Sequence, residues 1–167
     1  IEAMPGLELE GIYTHEGHVY NATGFEEVQK IARESGERIV QTAEMIRDSG
    51  IEVKTISVGA TPSAKITCTI PGVTETRPGT YVFDDYFQIR LGAAIEQDCA
   101  FTVLATVISV PAPDRAVIDA GTKSFFSDKS AAFGVYGLVK GNPHLMLVRA
   151  YEEHGVLKVD PSAGKIK

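Results

Sequence analysis

Ser57-Val58-Gly59-Ala60-Thr61-Pro62-Ser63 decides how this chain reads, together with Glu75-Thr76-Arg77-Pro78-Gly79-Thr80-Tyr81 downstream. Each stretch follows or carries an apolar, β-branched run, then turns on glycine with hydroxyl residues beside it. A phosphate is held in this way: backbone N–H groups approach where no Cβ intrudes, and Ser or Thr hydroxyls add donors. Two such turns at the ends of neighbouring strands, with Arg77 just before the second glycine, predict a pocket for a phosphorylated cofactor. Glycine turns after strands are common and most bind nothing, so the flanking sequence has to agree.

On the N-terminal side, Ile51 to Val58 is a strand that runs into the first turn. Before it, Phe25, Val28, Ile31, Ala32, Ile39, Ala43 and Ile46 keep the spacing of one helical face as far as Ser49. Thr23 reads as the N-cap with Glu26 as its capping-box partner, Gly50 as the C-terminal stop, and Gly36 as a bend. Leu7 to Thr14 is an earlier strand, with His15-Glu16-Gly17-His18-Val19-Tyr20 at its C-terminal end. After the first turn, Ala64 to Ile70 fits neither helix nor strand clearly. Val73 to Phe83 carries the second turn at a strand end, because Pro78 breaks a continuous strand, and Asp84 to Gly92 reads as a short helix.

Near residue 95 the texture changes. Ala100 to Val110 is a long β-branched run, Pro111-Ala112-Pro113-Asp114 a turn, and Arg115 to Asp119 a hairpin partner. Leu145 to Tyr151 and Val156 to Val159 flank a second hairpin tip, Glu152-Glu153-His154-Gly155. The reading is an α/β part over residues 1–95 and a mostly antiparallel β part over 96–167.

With 167 residues, 44% hydrophobic and 23% charged, the chain can bury a real core. A net charge of −6 argues against a nucleic-acid partner. No apolar run is long enough to span a bilayer, and the start lacks the basic and apolar regions of a signal peptide, so no membrane partner and a cytoplasmic location are expected. Cys68 and Cys99 have no metal-binding spacing and read as two buried thiols. The opening Ile1-Glu2-Ala3 and a strand that starts near Ser162 to Lys167 suggest a piece of a longer protein.

Several residues invite chemistry. His15 and His18 beside Glu16 fit a weak metal site, local hydrogen bonding at a strand end, or an imidazole stacked on a planar cofactor. Arg77 fits a surface ion pair, or a fixed cation beside a ring nitrogen that it would keep unprotonated. Lys123 lies in the β part and lacks the GxxxxGK pattern of a P-loop; Glu152, Glu153 and His154 read as a solvated charge cluster.

Those segments, with Val117-Ile118-Asp119-Ala120-Gly121-Thr122-Lys123, occur in an order and wording that resemble the D-threonine aldolase and D-serine dehydratase group. That group lies within the alanine racemase-like (fold-type III) enzymes that use pyridoxal 5′-phosphate. The resemblance covers nearly the whole chain. It implies the C-terminal part of a PLP-binding TIM-type barrel followed by part of an antiparallel β domain. It implies that His15 stacks on the pyridine ring, and that Gly59, Ala60 and Thr61 wrap the phosphate with Gly79 and Thr80. It puts Arg77 opposite the ring nitrogen and Tyr20 on the substrate side. It implies a D-amino acid substrate and a divalent metal, Zn or Mn, held by a late His-x-Cys or His-x-Asp pair; no such pair occurs here. No segment matches the family's Schiff-base lysine, so no catalytic residue is assigned and the chain alone is expected to be inactive. A complete barrel takes eight strands and roughly 250 residues, of which this piece would supply about three strands. Unpaired strand edges then predict a homodimer or pairing with missing segments. Two other readings are a racemase, which Arg77 keeps open, and a non-catalytic binding or assembly module.

Overall fold

Side-chain alternation along three short strands sorts the first part of the molecule into an apolar face and a polar one. The structure, a computed structural model, describes residues 1, 3–126, 134–160 and 162. The chain divides into two units, Ile1–Asp98 and Cys99–Lys167. In the first unit, strands β1 (Gly11–Tyr13), β2 (Thr55–Val58) and β3 (Glu75–Thr76) form a parallel sheet in the order β1-β2-β3. Tyr13 pairs with Ser57, and Ser57 with Glu75. Ile56 and Val58 are fully buried against Ile39 and Ala43 of helix α1 (Phe25–Asp48). Period-two geometry then sends Tyr13, Ser57 and Glu75 to the opposite face. Burying a side chain such as Ile56 stabilises the fold by about 1.5–3 kcal/mol, so the apolar face fixes which residues the polar face presents.

Helix α1 keeps the expected spacing, but its cap differs from the expected box. Gly24 is the N-cap, and the Thr23 N–H and Oγ1 both donate to the Glu27 carboxylate, at 2.8 and 2.9 Å, with Glu26 uninvolved. Gly50 does follow the helix, in the left-handed region at φ +87°. Gly36 lies within an unbroken helix: a Cβ there would meet Ile70 Cδ1 at 2.3 Å. Its role is close approach between helix and loop, not a bend.

The region after the first glycine turn is helix α2 (Thr61–Thr67), so the turn joins a strand to a helix. Pro62 sits in the first turn of α2, where its missing N–H costs no hydrogen bond. Helix α3 (Tyr86–Arg90) is capped by Asp85, whose Oδ1 accepts from Gln88 N at 3.1 Å. The strand read from Ile51 starts only at Thr55; Lys54 N and Thr55 N both donate to Glu10 O. Cys99 is buried, whereas Cys68 is exposed, contrary to expectation.

The second unit is one antiparallel sheet in the order β4-β5-β8-β7-β6. Its strands are β4 (Val107–Ala112), β5 (Arg115–Ile118), β6 (Gly137–Val139), β7 (Asn142–Ala150) and β8 (Gly155–Val159). Both expected hairpins form. Ala116 pairs with Leu157, and Leu157 with Leu147, in one buried row. The run from Ala100 joins the sheet only from Val107, and β4 is an exposed edge with irregular register. β6 carries no signal that the sequence reading used. The strand expected near the C-terminal end lies outside the described residues.

Candidate functional site

The two glycine turns meet. Thr80, after the second, donates from its N–H to Thr61 Oγ1 at 2.9 Å, and the two hydroxyl oxygens lie 3.0 Å apart. Thr61 is the first residue of α2 and Ala60, in extended backbone, its N-cap. Behind them, Gln88 of α3 donates from Nε2 to Thr80 Oγ1 at 3.3 Å. Helix α2, the turn after β3 and helix α3 therefore converge on one polar cluster.

Arg77 is fixed from three sides on the polar face of the sheet. Its Nε donates to Ser57 Oγ at 2.7 Å and its Nη2 to Thr14 O at 2.6 Å. The guanidinium carbon lies 4.9 Å from the centre of the Tyr13 ring, a cation–π contact. Ser57 Oγ in turn donates to Glu75, whose Oε1 is 3.9 Å from Arg77 Nε. A hydroxyl between carboxylate and guanidinium holds the long Arg side chain in one place. The expected ion pair is present, and the guanidinium remains partly exposed.

Gly59 also makes room for its neighbour across the sheet. A Cβ there would meet Arg77 Cβ and its backbone O at 3.1 Å, so the glycine makes room for the arginine. Its backbone is bound on both sides: the carbonyl accepts from His15 Nδ1, and the N–H faces Glu16 Oε2 at 3.4 Å. The bond to a carbonyl places the His15 proton on Nδ1. Glu16, only 2% exposed, also accepts from Ser63 Oγ of α2. The loop after β1 is thus tied to the turn after β2 through one buried carboxylate. Gly79 is unconstrained by its neighbours, since a Cβ would meet nothing within 4 Å.

Tyr20 lies on the short 3₁₀ turn Gly17–Asn21, its ring centre 6.5 Å from that of His15. Burial pushes its phenol above the ordinary 10.0, against the opposing pull of the Thr61 backbone N–H and side chain. It is a neutral O–H donor at physiological pH, in contact with Thr61. All eight residues expected at the cofactor lie in this one unit; His18 joins no metal cluster, and no group of three His, Cys, Asp or Glu side chains that could hold a metal occurs among the described residues. Lys123 pairs with Glu152 and Glu153 in the second unit. Sequence reasoning missed Glu16 as an anchor and Gln88 altogether, and took Ser57 and Ser63 only as hydroxyls of the first turn. The one available signal was Asp85 three residues before Gln88, an N-cap spacing.

Comparison with known proteins gives the class first. Residues 100–167 match the putative serine dehydratase domain. An alanine racemase-like protein from Idiomarina loihiensis shares the α/β fold, with TM-score 0.76 at 22% identity over 92% of this chain and 44% of that one.

Nearer relatives narrow it. D-threo-3-hydroxyaspartate dehydratase from Delftia sp. is 37% identical over 91% of this chain and 43% of its own length. Its solved structure superposes with TM-score 0.79, covering 97% of this chain and 45% of that one. D-threonine aldolase from Arthrobacter sp. is 32% identical over 96% of this chain and 41% of its own length. The resemblance to the D-threonine aldolase and D-serine dehydratase group holds, and the chain spans under half of the relatives it matches. No helix among the described residues is long and apolar enough to cross a membrane.

Proposed function

We propose that this chain carries the phosphate- and ring-binding side of a pyridoxal 5′-phosphate site in a D-amino-acid lyase, a dehydratase or aldolase of β-hydroxy D-amino acids. One observation carries the reading: hydroxyls from two separate strand-end turns meet at 3.0 Å while an anchored guanidinium stands on the polar face of the same sheet. The donor set fits the group. Thr61 and Tyr20 offer hydroxyls to a phosphate with Thr80 behind them, Ala60 and Gly79 keep side chains out of its way, and Gly59 leaves space for Arg77. Arg77 would take the ring nitrogen and His15 the ring face. When bound, the cofactor supplies an electron sink for charge developing on the substrate. Arg77, which cannot give up its proton, would leave the ring nitrogen unprotonated and temper that sink.

The same reading covers the whole protein: a lyase that removes water from, or cleaves, a D-amino acid bearing a β-hydroxyl, with a divalent metal. A D-threo-3-hydroxyaspartate dehydratase has been solved as a variant in metal-free form. No residue of this chain is assigned to the metal or to the covalent link with the cofactor.

The test is to titrate pyridoxal 5′-phosphate into the chain and follow the bound cofactor by absorbance and by its 31P resonance. Saturable binding that Thr61→Val and Thr80→Val each weaken supports the reading. Binding that neither substitution changes overturns it. Assays for pyruvate from D-serine, and for glycine with acetaldehyde from D-threonine, then separate dehydratase from aldolase in the whole protein.

A further inference from the structure

Gln88 is 1% exposed, and its backbone is held on both sides. Asp85 Oδ1 takes its N–H, and its carbonyl accepts from Ala93 N at 2.9 Å and Ala94 N at 3.3 Å. Its side-chain Nε2 donates to Thr80 Oγ1, but Oε1 has no hydrogen-bond partner among the described residues. A buried amide with an orphaned oxygen is costly to the fold. An apolar side chain of the same length would remove that cost, so the amide needs a reason to be there.

The reason lies in the direction of the hydrogen bonds. The Thr80 N–H can only donate, so Thr61 Oγ1 accepts from it. Thr80 Oγ1 accepts from Gln88 and passes its own proton to Thr61 Oγ1. Both lone pairs of the Thr61 hydroxyl are then engaged, and its proton is left to face the adjoining Tyr20 oxygen or a bound ligand. With the amide reversed, its carbonyl would draw the Thr80 proton, Thr80 would draw that of Thr61, and Thr61 would present lone pairs. A phosphate offers only acceptors, so one direction attracts it and the other repels it.

We infer that Gln88 is a positioning residue that polarises a hydroxyl relay, Gln88 to Thr80 to Thr61, so that Thr61 and the adjoining Tyr20 present O–H donors to a phosphate ester. The inference rests on the proposed cofactor site and deepens it. Gln88 touches no ligand; it acts through Thr80.

The experiment measures binding of pyridoxal 5′-phosphate and of pyridoxal, which lacks the phosphate, to the full chain and to Gln88→Met, Gln88→Glu and Thr80→Val. Melting temperature and the 31P shift of the bound ester are read on the same samples. Gln88→Met should weaken the phosphorylated ligand about fivefold, the factor of one hydrogen bond, while pyridoxal affinity is unchanged and the melting temperature holds or rises. Gln88→Glu, acceptor-only when ionised, should weaken it further and move the 31P shift. Gln88→Met combined with Thr80→Val should lose no more than Thr80→Val alone, because both cut one relay. If Gln88→Met lowers the melting temperature and leaves the ratio of the two affinities alone, Gln88 is packing and the inference is overturned. Should that variant fail to fold, an unchanged ratio in Gln88→Glu overturns it equally. If Thr61→Val loses the ester and the Gln88 variants do not, the cofactor site stands and the relay falls. A parent chain that does not distinguish the two ligands overturns both.

Discussion

The first unit buries Glu16, Ser57, Thr61, Ser63, Thr67 and Gln88, whereas the core cluster of the second is entirely apolar. In the β unit the carboxylates stand outside: Glu152 and Glu153 sit at a hairpin tip with Lys123, all three exposed. In the α/β unit a carboxylate and four hydroxyls lie inside: Ser63 bonds to Glu16, Ser57 to Glu75, Thr61 to Thr80, and Thr67 to Ala64 O of its own helix. Burying polar groups costs stability unless each is paired. Their concentration in one unit makes the two units chemically distinct.

That contrast can be broken most forcefully in the β core. Leu157→Asn should destabilise by more than Leu157→Ala, itself expected at about 2–5 kcal/mol, because the amide would find no partner in an apolar row. Urea unfolding reads the difference, and a tolerated Asn would mean that the two units are not chemically distinct. Next comes Glu16→Ala, which leaves Ser63 Oγ only the Ala60 carbonyl and unties the loop after β1. It should cost about 1–3 kcal/mol and weaken pyridoxal 5′-phosphate binding together with stability. An Ala variant as stable as the parent would show that the carboxylate anchors nothing.

Smaller effects sharpen the comparison. Ser57→Ala removes the hydroxyl between Glu75 and Arg77, and cofactor binding should fall about fivefold with the fold intact, as measured by fluorescence titration. In the β unit, the Thr106 backbone N–H, 2.7 Å from Asp119 Oδ1, holds that carboxyl below its ordinary 3.8. A lowered carboxylate stabilises the fold above its unfolded value, and the contribution is lost as pH falls through the folded value. Asp119→Asn should therefore lower the melting temperature slightly at neutral pH, where the ionised carboxylate contributes, and flatten the fall of the melting curve below pH 3.8. Lys123→Ala, an exposed ion pair, should leave the melting temperature unchanged.

Much of this organisation was legible in the residues. Helical spacing from Phe25 to Ile46 gave α1, and turn chemistry gave both hairpins. The pairing of Thr61 with Thr80 follows from two strand-end turns on adjacent parallel strands, because register brings such ends together. What escaped was whatever depends on the third dimension. Helix α2 hid because Thr61-Pro62-Ser63 reads as a loop until the proline is recognised as a helix start. Gly59 read as a phosphate donor because its near neighbour, Arg77, lies 18 positions away. Glu16 and Gln88 are ordinary polar residues in sequence, and only burial makes them informative.

The register of β2 against its neighbours carries a consequence for how this chain can vary. Tyr13, Ser57 and Glu75 stand abreast, with Ile56 and Val58 turned the other way. Losing a single residue between Gly50 and Thr55 would rotate the strand by half a period. Isoleucine would then lie beneath the guanidinium and serine among the aliphatic side chains of α1. Length in that connector is thus under stricter control than identity, while the Pro113–Asp114 turn is free to lengthen.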